Sequence, residues 1–338
     1  MAAPDLVWIP ATELAALIRS KKVSPVEVVD AVLARVERLN PTLNCFATVT
    51  AEEARDAALS AEVAVMTGEE LGPLHGVPVS IKDLLFTRRV PTTGGSRLFI
   101  DHVPEEDAVS VERLKGVGAI IVGKTTTPEF GHKAVTESPL FGITRNPWNL
   151  ALTPGGSSGG AGAAVAAGLG PLAVGTDGGG SIRIPASFCG IYGFKPSFGR
   201  VPQNPGFPGW ETLSHTGPMT RTVRDAALML DAIAGPDDRD RHSLPAGAQS
   251  FLAACEGGIA GLSVAWSPDL GYARVDPEVA DLCAAAAERF ESFGGHVEVV
   301  SPSWDDPEET FRITAAAEMW SAWGDRLEAD GEQMDRSL

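Results

Sequence analysis

A block of glycine, serine and alanine in the middle of the chain constrains the fold more strongly than any other segment. Glycine recurs every few residues between Thr153 and Ser181, interleaved with small side chains. The alanines and valines of this block would be buried, so it is not a flexible linker. Dense glycine between two regular elements indicates close backbone packing or φ and ψ values that other residues avoid. We therefore predict a helix over 157–169 and a strand over 172–175.

Helical and strand patterns alternate along the rest of the chain. The segment 24–27 combines a capping box with proline at the first helical position. Short apolar runs at 77–81, 119–122, 262–266 and 297–300 predict strands. The expected helices begin near Thr12, Pro25, Ala51, Asp107, Val223, Pro277 and Pro307, with Asp107 as a helix cap. Because strands alternate with helices, we predict an α/β fold with a covered sheet.

Length and composition indicate a globular protein with one dominant domain. The chain has 338 residues, of which 44% are hydrophobic and 21% charged, which is ordinary for a folded protein. A chain of this length buries a large core. We expect a single domain over 1–338, with N-terminal helices in 11–65, a core in 70–235 that carries the glycine-rich block, and a peripheral α/β segment in 250–338.

Charge and cysteine usage argue against several classes of protein. The formal net charge of −17 repels phosphate backbones, so we do not expect a nucleic-acid partner. The four cysteines form no CxxC pair, which favours reduced thiols in a cytoplasmic protein over a zinc site or a disulfide framework. The first ten residues lack a basic region, and no uncharged run approaches the length of a membrane span. We therefore expect neither a signal peptide nor a membrane segment.

Two short motifs match sites of other kinds. Gly118–Thr125 fits the P-loop pattern, but its four intervening residues are typical of a strand interior, and Pro128 interrupts the helix that should follow. Gly155–Gly159 fits the nucleophile elbow of serine hydrolases, but Pro154 ends the preceding strand and the histidines lie in no telling context. We therefore favour neither a nucleotide site nor a Ser-His triad.

Three segments in order along the chain resemble the amidase-signature family. They are Gly76–Asp83, Pro154–Gly160 and Gly175–Pro196, with further matches between and after them such as Pro128–Gly131. The resemblance extends from about residue 8 to residue 245. Each fragment is weak alone, whereas the ordered set is specific. The resemblance implies an α/β/α sandwich around a mixed central β-sheet, and hydrolysis of an amide C–N bond without a metal or a cofactor.

The catalytic roles follow from this resemblance together with general chemistry. A serine hydroxyl needs a base, and no histidine lies near the glycine-rich block, so a neutral lysine is the plausible base. Lys82 ends an apolar strand, where burial would lower its pKa. The resemblance implies that Ser181 is the acylated nucleophile and that Ser157 passes protons between Ser181 and Lys82. It also implies a cis peptide between Gly156 and Ser157.

The residues around the nucleophile have supporting roles in the same resemblance. The implied oxyanion donors are the backbone N–H groups of Gly178, Gly179, Gly180 and Ser181. The residues implied to hold this loop in shape are Asp177, Arg183 and Ser158. Cys189 is a conceivable alternative nucleophile, but its apolar context favours a small buried core residue.

The substrate stays open at this point. Small primary amides, aryl amides, esters and carbamates all pass through the same acyl-enzyme chemistry. The apolar loop Asn204–Trp210 either lines an entrance for such groups or packs within the fold. The expected partner is a small-molecule amide, and a homodimer is possible. One alternative is the glutaminase component of a tRNA-dependent amidotransferase, which carries glutamine at the position of Ile184, before Pro185.

The end of the chain raises a further question. Members of the amidase-signature family, which the chain resembles, are considerably longer. We therefore expect a truncated chain, a natural short form or one piece of a longer protein. An inactive truncated scaffold is therefore the second alternative to an active amidase.

Overall fold

A computed structural model describes residues 6–338, which divide into two compact units. The larger unit extends to Leu252 and includes Glu318–Leu338, whereas the smaller unit is Ala253–Ala317. None of the described helices is long and apolar enough to cross a membrane.

The predicted helices and strands are present, but the structure adds strands at 46–49, 137–138, 142–143, 192–193 and 216–220 that the sequence pattern does not predict. The first elements are α1 (Ala11–Arg19), α2 (Pro25–Leu43), β1 (Phe46–Val49), α3 (Ala51–Thr67), β2 (Pro78–Lys82), α4 (Val109–Gly116) and β3 (Ile120–Thr125). A small hairpin follows, made of β4 (Glu137–Ser138) and β5 (Gly142–Ile143). The glycine-rich region and its continuation form α5 (Gly159–Ala166), β6 (Leu172–Thr176), α6 (Arg183–Cys189), β7 (Tyr192–Gly193), β8 (Thr216–Thr220) and α7 (Val223–Ile233).

The remaining elements are α8 (Phe251–Ala254), β9 (Ser263–Trp266), α9 (Pro277–Ser292), β10 (His296–Val299) and α10 (Glu308–Asp330). Within the smaller unit, β9 and β10 pair in parallel, as expected for strands joined by a helix.

The sequence predicts two helix caps, at the starts of α2 and α4. The first prediction is confirmed and the second is wrong. At the start of α2 the Ser24 hydroxyl accepts the Val26 N–H at 2.9 Å, and the Glu27 carboxylate accepts the Ser24 N–H at 3.0 Å. The predicted capping box is therefore confirmed. The cap of α4 is predicted at Asp107 but lies at Ala108, because the Asp107 carboxylate accepts hydrogen bonds from Arg88 N and Lys115 Nζ instead.

A six-stranded mixed sheet forms the centre of the larger unit. Its strand order is β1-β3-β2-β6-β8-β7. Strands β3, β2 and β6 run parallel, whereas β1, β8 and β7 are antiparallel to their neighbours. Parallel strands end at the same edge of a sheet. The last residues of β2 and β6, Lys82 and Thr176, therefore meet at one edge.

Apolar residues cover both faces of this sheet. One cluster joins α1, α4 and α7 to Val79 and Ile81 of β2. A second cluster joins α2, α3 and α5 to Ile120 and Val122 of β3. Helices therefore pack on both sides of the sheet, and the predicted α/β/α sandwich is confirmed.

Candidate active site

Lys82 lies at the end of β2 and has no solvent exposure. Its Nζ donates hydrogen bonds to Ser157 Oγ at 2.6 Å and to Thr176 Oγ1 at 2.9 Å. Burial lowers the pKa of Lys82 to about 7, although the charge of Asp177 acts in the opposite direction. A substantial fraction of this amine is therefore neutral near pH 7, as a general base requires.

Ser157 is presented by a tight backbone turn before α5. The Gly156–Ser157 peptide is cis, which confirms the prediction. A Cβ on Gly156 would lie 2.7 Å from the main chain of Val135, so only glycine fits there. Thr136 Oγ1 donates to Gly155 O at 2.8 Å and accepts the Gly159 N–H at 3.0 Å. These contacts fix the backbone on both sides of Ser157.

Ser158 connects this turn to the strand end and to Ser181. Its hydroxyl donates to Thr176 O at 3.1 Å and accepts the Thr176 N–H at 3.2 Å. Its backbone N–H donates to Ser181 O at 3.1 Å. Ser158 thus joins the three segments that carry Ser157, Thr176 and Ser181.

The Asp177 carboxylate organises the loop before Ser181. Its Oδ1 accepts the Gly180 N–H at 2.7 Å, and its Oδ2 accepts the Ile182 N–H at 3.1 Å. Arg183 donates to both oxygens, at 2.9 Å each. Burial raises the pKa of Asp177, but the hydrogen bonds from Arg183 and from the backbone outweigh it and hold the pKa at about 2. The carboxylate is therefore ionised over the whole neutral range.

The backbone N–H groups around Ser181 have different environments. The Gly180 N–H is already occupied by Asp177, which narrows the predicted set of four oxyanion donors to three. Among residues 6–338, nothing accepts a hydrogen bond from the N–H groups of Gly178, Gly179 and Ser181. These three donors are available to an oxygen bound beside Ser181.

A cavity of about 440 Å³ opens beside these groups. Its polar end is lined by Ser157, Thr176, Gly178 and Ser181. Its apolar walls include Leu84, Leu85, Phe130, Phe207, Pro208 and Trp210. A further part of the lining is charged or polar and includes Glu211, Asp238, Arg239, Asp240, Arg241 and His242. The Asn204–Trp210 loop therefore lines the cavity. It also packs within the fold, because the Phe207 ring lies 5.2 Å from Phe86 and 5.1 Å from Phe99 between centroids.

Three residues of the site escape the sequence analysis. Thr176 directly precedes Asp177 in the third motif, but nothing in the sequence indicates that its hydroxyl faces Lys82. A Cβ on Gly131 would lie 3.2 Å from Ser157 Oγ, and its φ of 73° favours glycine. Its signal in the sequence is the Pro128–Gly131 fragment, to which the resemblance gives no role. Trp210 is singled out in the sequence only as part of an apolar loop.

The P-loop-like segment and Cys189, which the sequence offers as alternative functional sites, are both largely buried within the fold. The P-loop-like segment ends in β3, and Lys124 Nζ is buried, donating to Leu85 O at 2.5 Å, Thr92 Oγ1 at 2.7 Å and Thr87 Oγ1 at 3.0 Å. The prediction of a strand interior is confirmed. Cys189 is buried as predicted, and burial raises the pKa of its thiol to about 12. Within residues 6–338 no group of three or more His, Cys, Asp or Glu side chains is arranged to hold a metal ion.

Comparison with known proteins places this site in a family. The family model described as Amidase matches residues 27–334. An acylamidase from Rhodococcus erythropolis is 44% identical over 321 residues, which cover 95% of this chain and 66% of that protein. One component of the glutamyl-tRNA(Gln) amidotransferase of Geotalea daltonii is 40% identical over 307 residues, which cover 90% of this chain and 63% of that protein. The chain therefore spans less than two thirds of the length of these curated relatives.

Solved structures agree with this assignment. The crystal structure of a bacterial aryl acylamidase of the amidase-signature family matches with a TM-score of 0.90 and 35% identity, covering 98% of this chain and 71% of that one. Extensive similarity in sequence and structure to known amidases therefore agrees with the ordered motifs and with the cis peptide before Ser157. The chain belongs to the amidase family.

Proposed function

We propose that this protein hydrolyses the C–N bond of a small carboxylic amide through an acyl-Ser181 intermediate. The observation that carries the proposal is the 2.6 Å hydrogen bond between Lys82 Nζ and Ser157 Oγ. It couples a buried amine with a pKa of about 7 to a hydroxyl that lines the same cavity as Ser181. A base with a pKa near the working pH gives efficient proton transfer.

In the acylation step, Ser181 Oγ attacks the carbonyl carbon and passes its proton to Ser157 Oγ. Ser157 simultaneously passes its own proton to neutral Lys82. The carbonyl oxygen becomes an oxyanion, and the free N–H groups of Gly178, Gly179 and Ser181 stabilise it. A single donor of this kind typically contributes about 2.7–4 kcal/mol to the transition state.

Collapse of the tetrahedral intermediate breaks the C–N bond. The proton held by Lys82 returns through Ser157 to the leaving nitrogen, so the amine leaves neutral and Lys82 is again a free base. Water then attacks the acyl carbon, and its proton follows the same route to Lys82. Ser181 takes a proton back as the acid departs. The net change is one amide and one water converted to one carboxylic acid and one amine.

Thr176 and Asp177 support this proton path through their effects on Lys82. Thr176 Oγ1 accepts a hydrogen bond from Lys82 at 2.9 Å and thereby fixes the direction of the amine. The Asp177 charge raises the pKa of Lys82 and limits the lowering caused by burial. We propose that Asp177, Arg183 and Ser158 hold the nucleophile loop in shape.

The cavity supports an amide with a flat or branched apolar group. The aromatic and aliphatic part of its lining accommodates an aryl or alkyl substituent, whereas Glu211, Arg239 and Asp240 provide a charged part for polar groups of the substrate. The names of the acylamidase relatives point to the same class of substrate. Esters and carbamates of similar shape would react by the same steps.

A panel of neutral amides tests this proposal. Primary alkyl amides, N-acyl anilides and glutamine would be incubated with the protein, and acid and amine would be quantified by mass spectrometry. We expect equal amounts of both products from at least one neutral amide, and none with Ser181→Ala. Ser187→Ala is the matched control, because Ser187 is exposed on α6. Hydrolysis that survives in Ser181→Ala would refute the acyl-Ser181 mechanism.

The relationship to the amidotransferase supports a second candidate. The Geotalea daltonii amidotransferase component is 40% identical to this chain, so glutaminase activity within a complex is a specific alternative. Ile184 argues against it, because the resemblance implies glutamine at that position in such components. Ammonia release from glutamine at a rate above that of every neutral amide in the panel would favour this alternative.

Location and assembly are also proposals. We propose a cytoplasmic protein, supported by four cysteines of which none forms a disulfide and two are buried. We further propose a homodimer, to be tested by light scattering during size-exclusion chromatography. A monomer at micromolar concentration would contradict the homodimer.

A further inference from the structure

We propose that Trp210 is a positioning residue that holds the oxyanion loop against the Phe130–Gly131 segment beside Ser157. This inference rests on the proposed function, because it concerns the same cavity. Trp210 lies outside the motifs by which the chain resembles its family. Three features carry the inference: the contacts of the Trp210 ring, the hydrogen bond of its indole N–H and the anchoring of its loop.

The indole ring lies directly on Gly178. A Cβ at Gly178 would lie 2.8 Å from Trp210 Cε3 and 3.1 Å from Trp210 Cζ3. All three of the nearest atoms to this position belong to the same ring. The ring therefore touches the backbone of the first proposed oxyanion donor and restricts its movement toward the cavity. No side chain larger than hydrogen fits at Gly178 while Trp210 occupies this position.

The indole N–H is tied to a second segment that lines the cavity. Trp210 Nε1 donates to Phe130 O at 3.0 Å. The next residue, Gly131, packs so closely on Ser157 that a Cβ there would lie 3.2 Å from Ser157 Oγ. One rigid ring thus spans from the oxyanion loop to the turn that contacts the proposed proton carrier. A change in the position of this ring therefore alters both its contact with Gly178 and its hydrogen bond to Phe130 O.

The loop that carries Trp210 is itself anchored. The Thr212 backbone N–H donates to Glu318 Oε1 at 3.2 Å, and the Thr212 hydroxyl donates to the same oxygen. A Cβ at Gly209 would lie 2.9 Å from Met319 Sδ, so the backbone packs tightly on α10. At the C-terminal end of this loop, His215 N donates to Asp177 O at 3.0 Å, and Asp177 N donates to His215 O at 2.8 Å. The ring is therefore held at a fixed place relative to the nucleophile loop.

A positioning role differs from a wall that only binds substrate. A wall residue changes KM, whereas a residue that holds the oxyanion donors changes kcat. Trp210→Ala should lower kcat by about 100-fold, comparable to the loss of one oxyanion donor. KM should change by less than about threefold. Trp210→Phe keeps a ring over Gly178 and loses one hydrogen bond, so kcat should fall by only about two- to tenfold.

The reaction with a short-chain fluorophosphonate gives an independent readout. This probe needs the nucleophile and the oxyanion donors but makes few contacts with the cavity walls. Its rate of labelling in Trp210→Ala should fall by about the same factor as kcat. Trp148 provides the matched control, because its Nε1 also donates to a backbone carbonyl, Cys189 O at 2.8 Å, yet the residue is 74% exposed and does not line the cavity. Trp148→Ala should change neither rate.

A double-mutant cycle with Gly178→Ala tests the contact itself. Gly178→Ala should reduce kcat by about 100-fold in the wild-type background, because the new methyl group collides with the ring. In the Trp210→Ala background the same change should cost less than about threefold. If Trp210→Ala does not fold, as judged by circular dichroism, Trp210→Leu takes its place in the cycle with the same expected non-additivity.

The outcomes separate this inference from the proposed function. A wild-type protein that neither hydrolyses amides nor takes the label at Ser181 would overturn both. A wild-type protein that does both, with Trp210→Ala raising KM while kcat and the labelling rate persist, would overturn the inference alone. Multiplicative losses in the Gly178–Trp210 cycle would also overturn it. A fall in kcat and labelling rate with the predicted non-additivity would support it.

Discussion

Lys82 Nζ lies 2.6 Å from Ser157 Oγ, although 75 positions separate the two residues in sequence. The parallel pairing of β2 with β6 brings Lys82 to the sheet edge at which β6 ends, and Thr176 and Ser158 then fix the turn that carries Ser157. The amine is therefore buried at the same edge where Ser157 and Ser181 line the cavity. Sheet topology, rather than proximity in sequence, brings the proposed base and the proposed proton carrier together.

The hydrolysis rate should depend on the protonation of Lys82. Burial lowers its pKa to about 7, and only the neutral amine accepts a proton. For a neutral amide, kcat/KM should therefore rise about tenfold per pH unit below pH 7 and level off above it. Asp177 contributes no step in this range, since its pKa is about 2. A flat profile from about pH 5 to pH 9 would refute Lys82 as the base, and Lys82→Ala should abolish the step together with most of the rate.

Removal of the Ser157 hydroxyl should interrupt the proton path. Ser157→Ala leaves Lys82 bonded to Thr176 alone, so no group passes the proton of Ser181 to the amine. We expect kcat to fall by about 10²–10⁴-fold, the range typical of general acid–base catalysis. Steady-state kinetics on a neutral amide measure this loss. An unchanged rate in Ser157→Ala would show that Ser181 uses another proton acceptor.

The ion pair of Asp177 with Arg183 should make stability depend on pH in the acid range. The pKa of Asp177 is lowered from 3.8 to about 2, so its stabilising contribution is complete above the unfolded-state pKa and is lost as pH falls through about 2. Arg183→Ala should lower Tm at pH 6, and its difference from the wild type should narrow between pH 4 and pH 2. Calorimetry at several pH values measures this difference. A constant difference would contradict the assigned linkage.

Lys124 and Asp83 form a buried pair whose disruption should destabilise the fold. The Nζ and Oδ1 atoms lie 4.0 Å apart with no exposure of either side chain. Lys124→Ala should cost about 3–5 kcal/mol of unfolding free energy, because it leaves Asp83 buried without a countercharge. Lys115→Ala, which removes a surface ion pair with Asp107, should cost less than about 1 kcal/mol. Urea denaturation compares the two, and equal losses would contradict a special role for the buried pair.

The sequence is sufficient for the features that depend on local pattern. The capping box at Ser24, the strand ending at Lys82 and the helix within the glycine-rich block each follow from neighbouring residues. The cis bond before Ser157 follows from the resemblance, which carries information that periodicity lacks. The α/β class follows from the alternation of strands and helices, whereas the mixed sheet follows from the resemblance.

The features that escape prediction depend on contacts between distant segments. Trp210 gains its role only because its loop lies against Gly178 and Phe130, far apart in sequence. Thr176 faces Lys82 because two strands are neighbours in the sheet. The Asp107 cap fails for a similar reason, since a lysine two turns later competes for its carboxylate. Local propensity does not rank such tertiary competitors.

Active-site labelling tests the central claim most directly. The wild-type protein would be treated with a short-chain fluorophosphonate at pH 8, digested, and searched by mass spectrometry for the modified serine. We predict a single adduct on Ser181, absent in Ser181→Ala and strongly slowed in Lys82→Ala. An adduct on Ser157, or a folded wild-type protein that takes no label, would contradict the account.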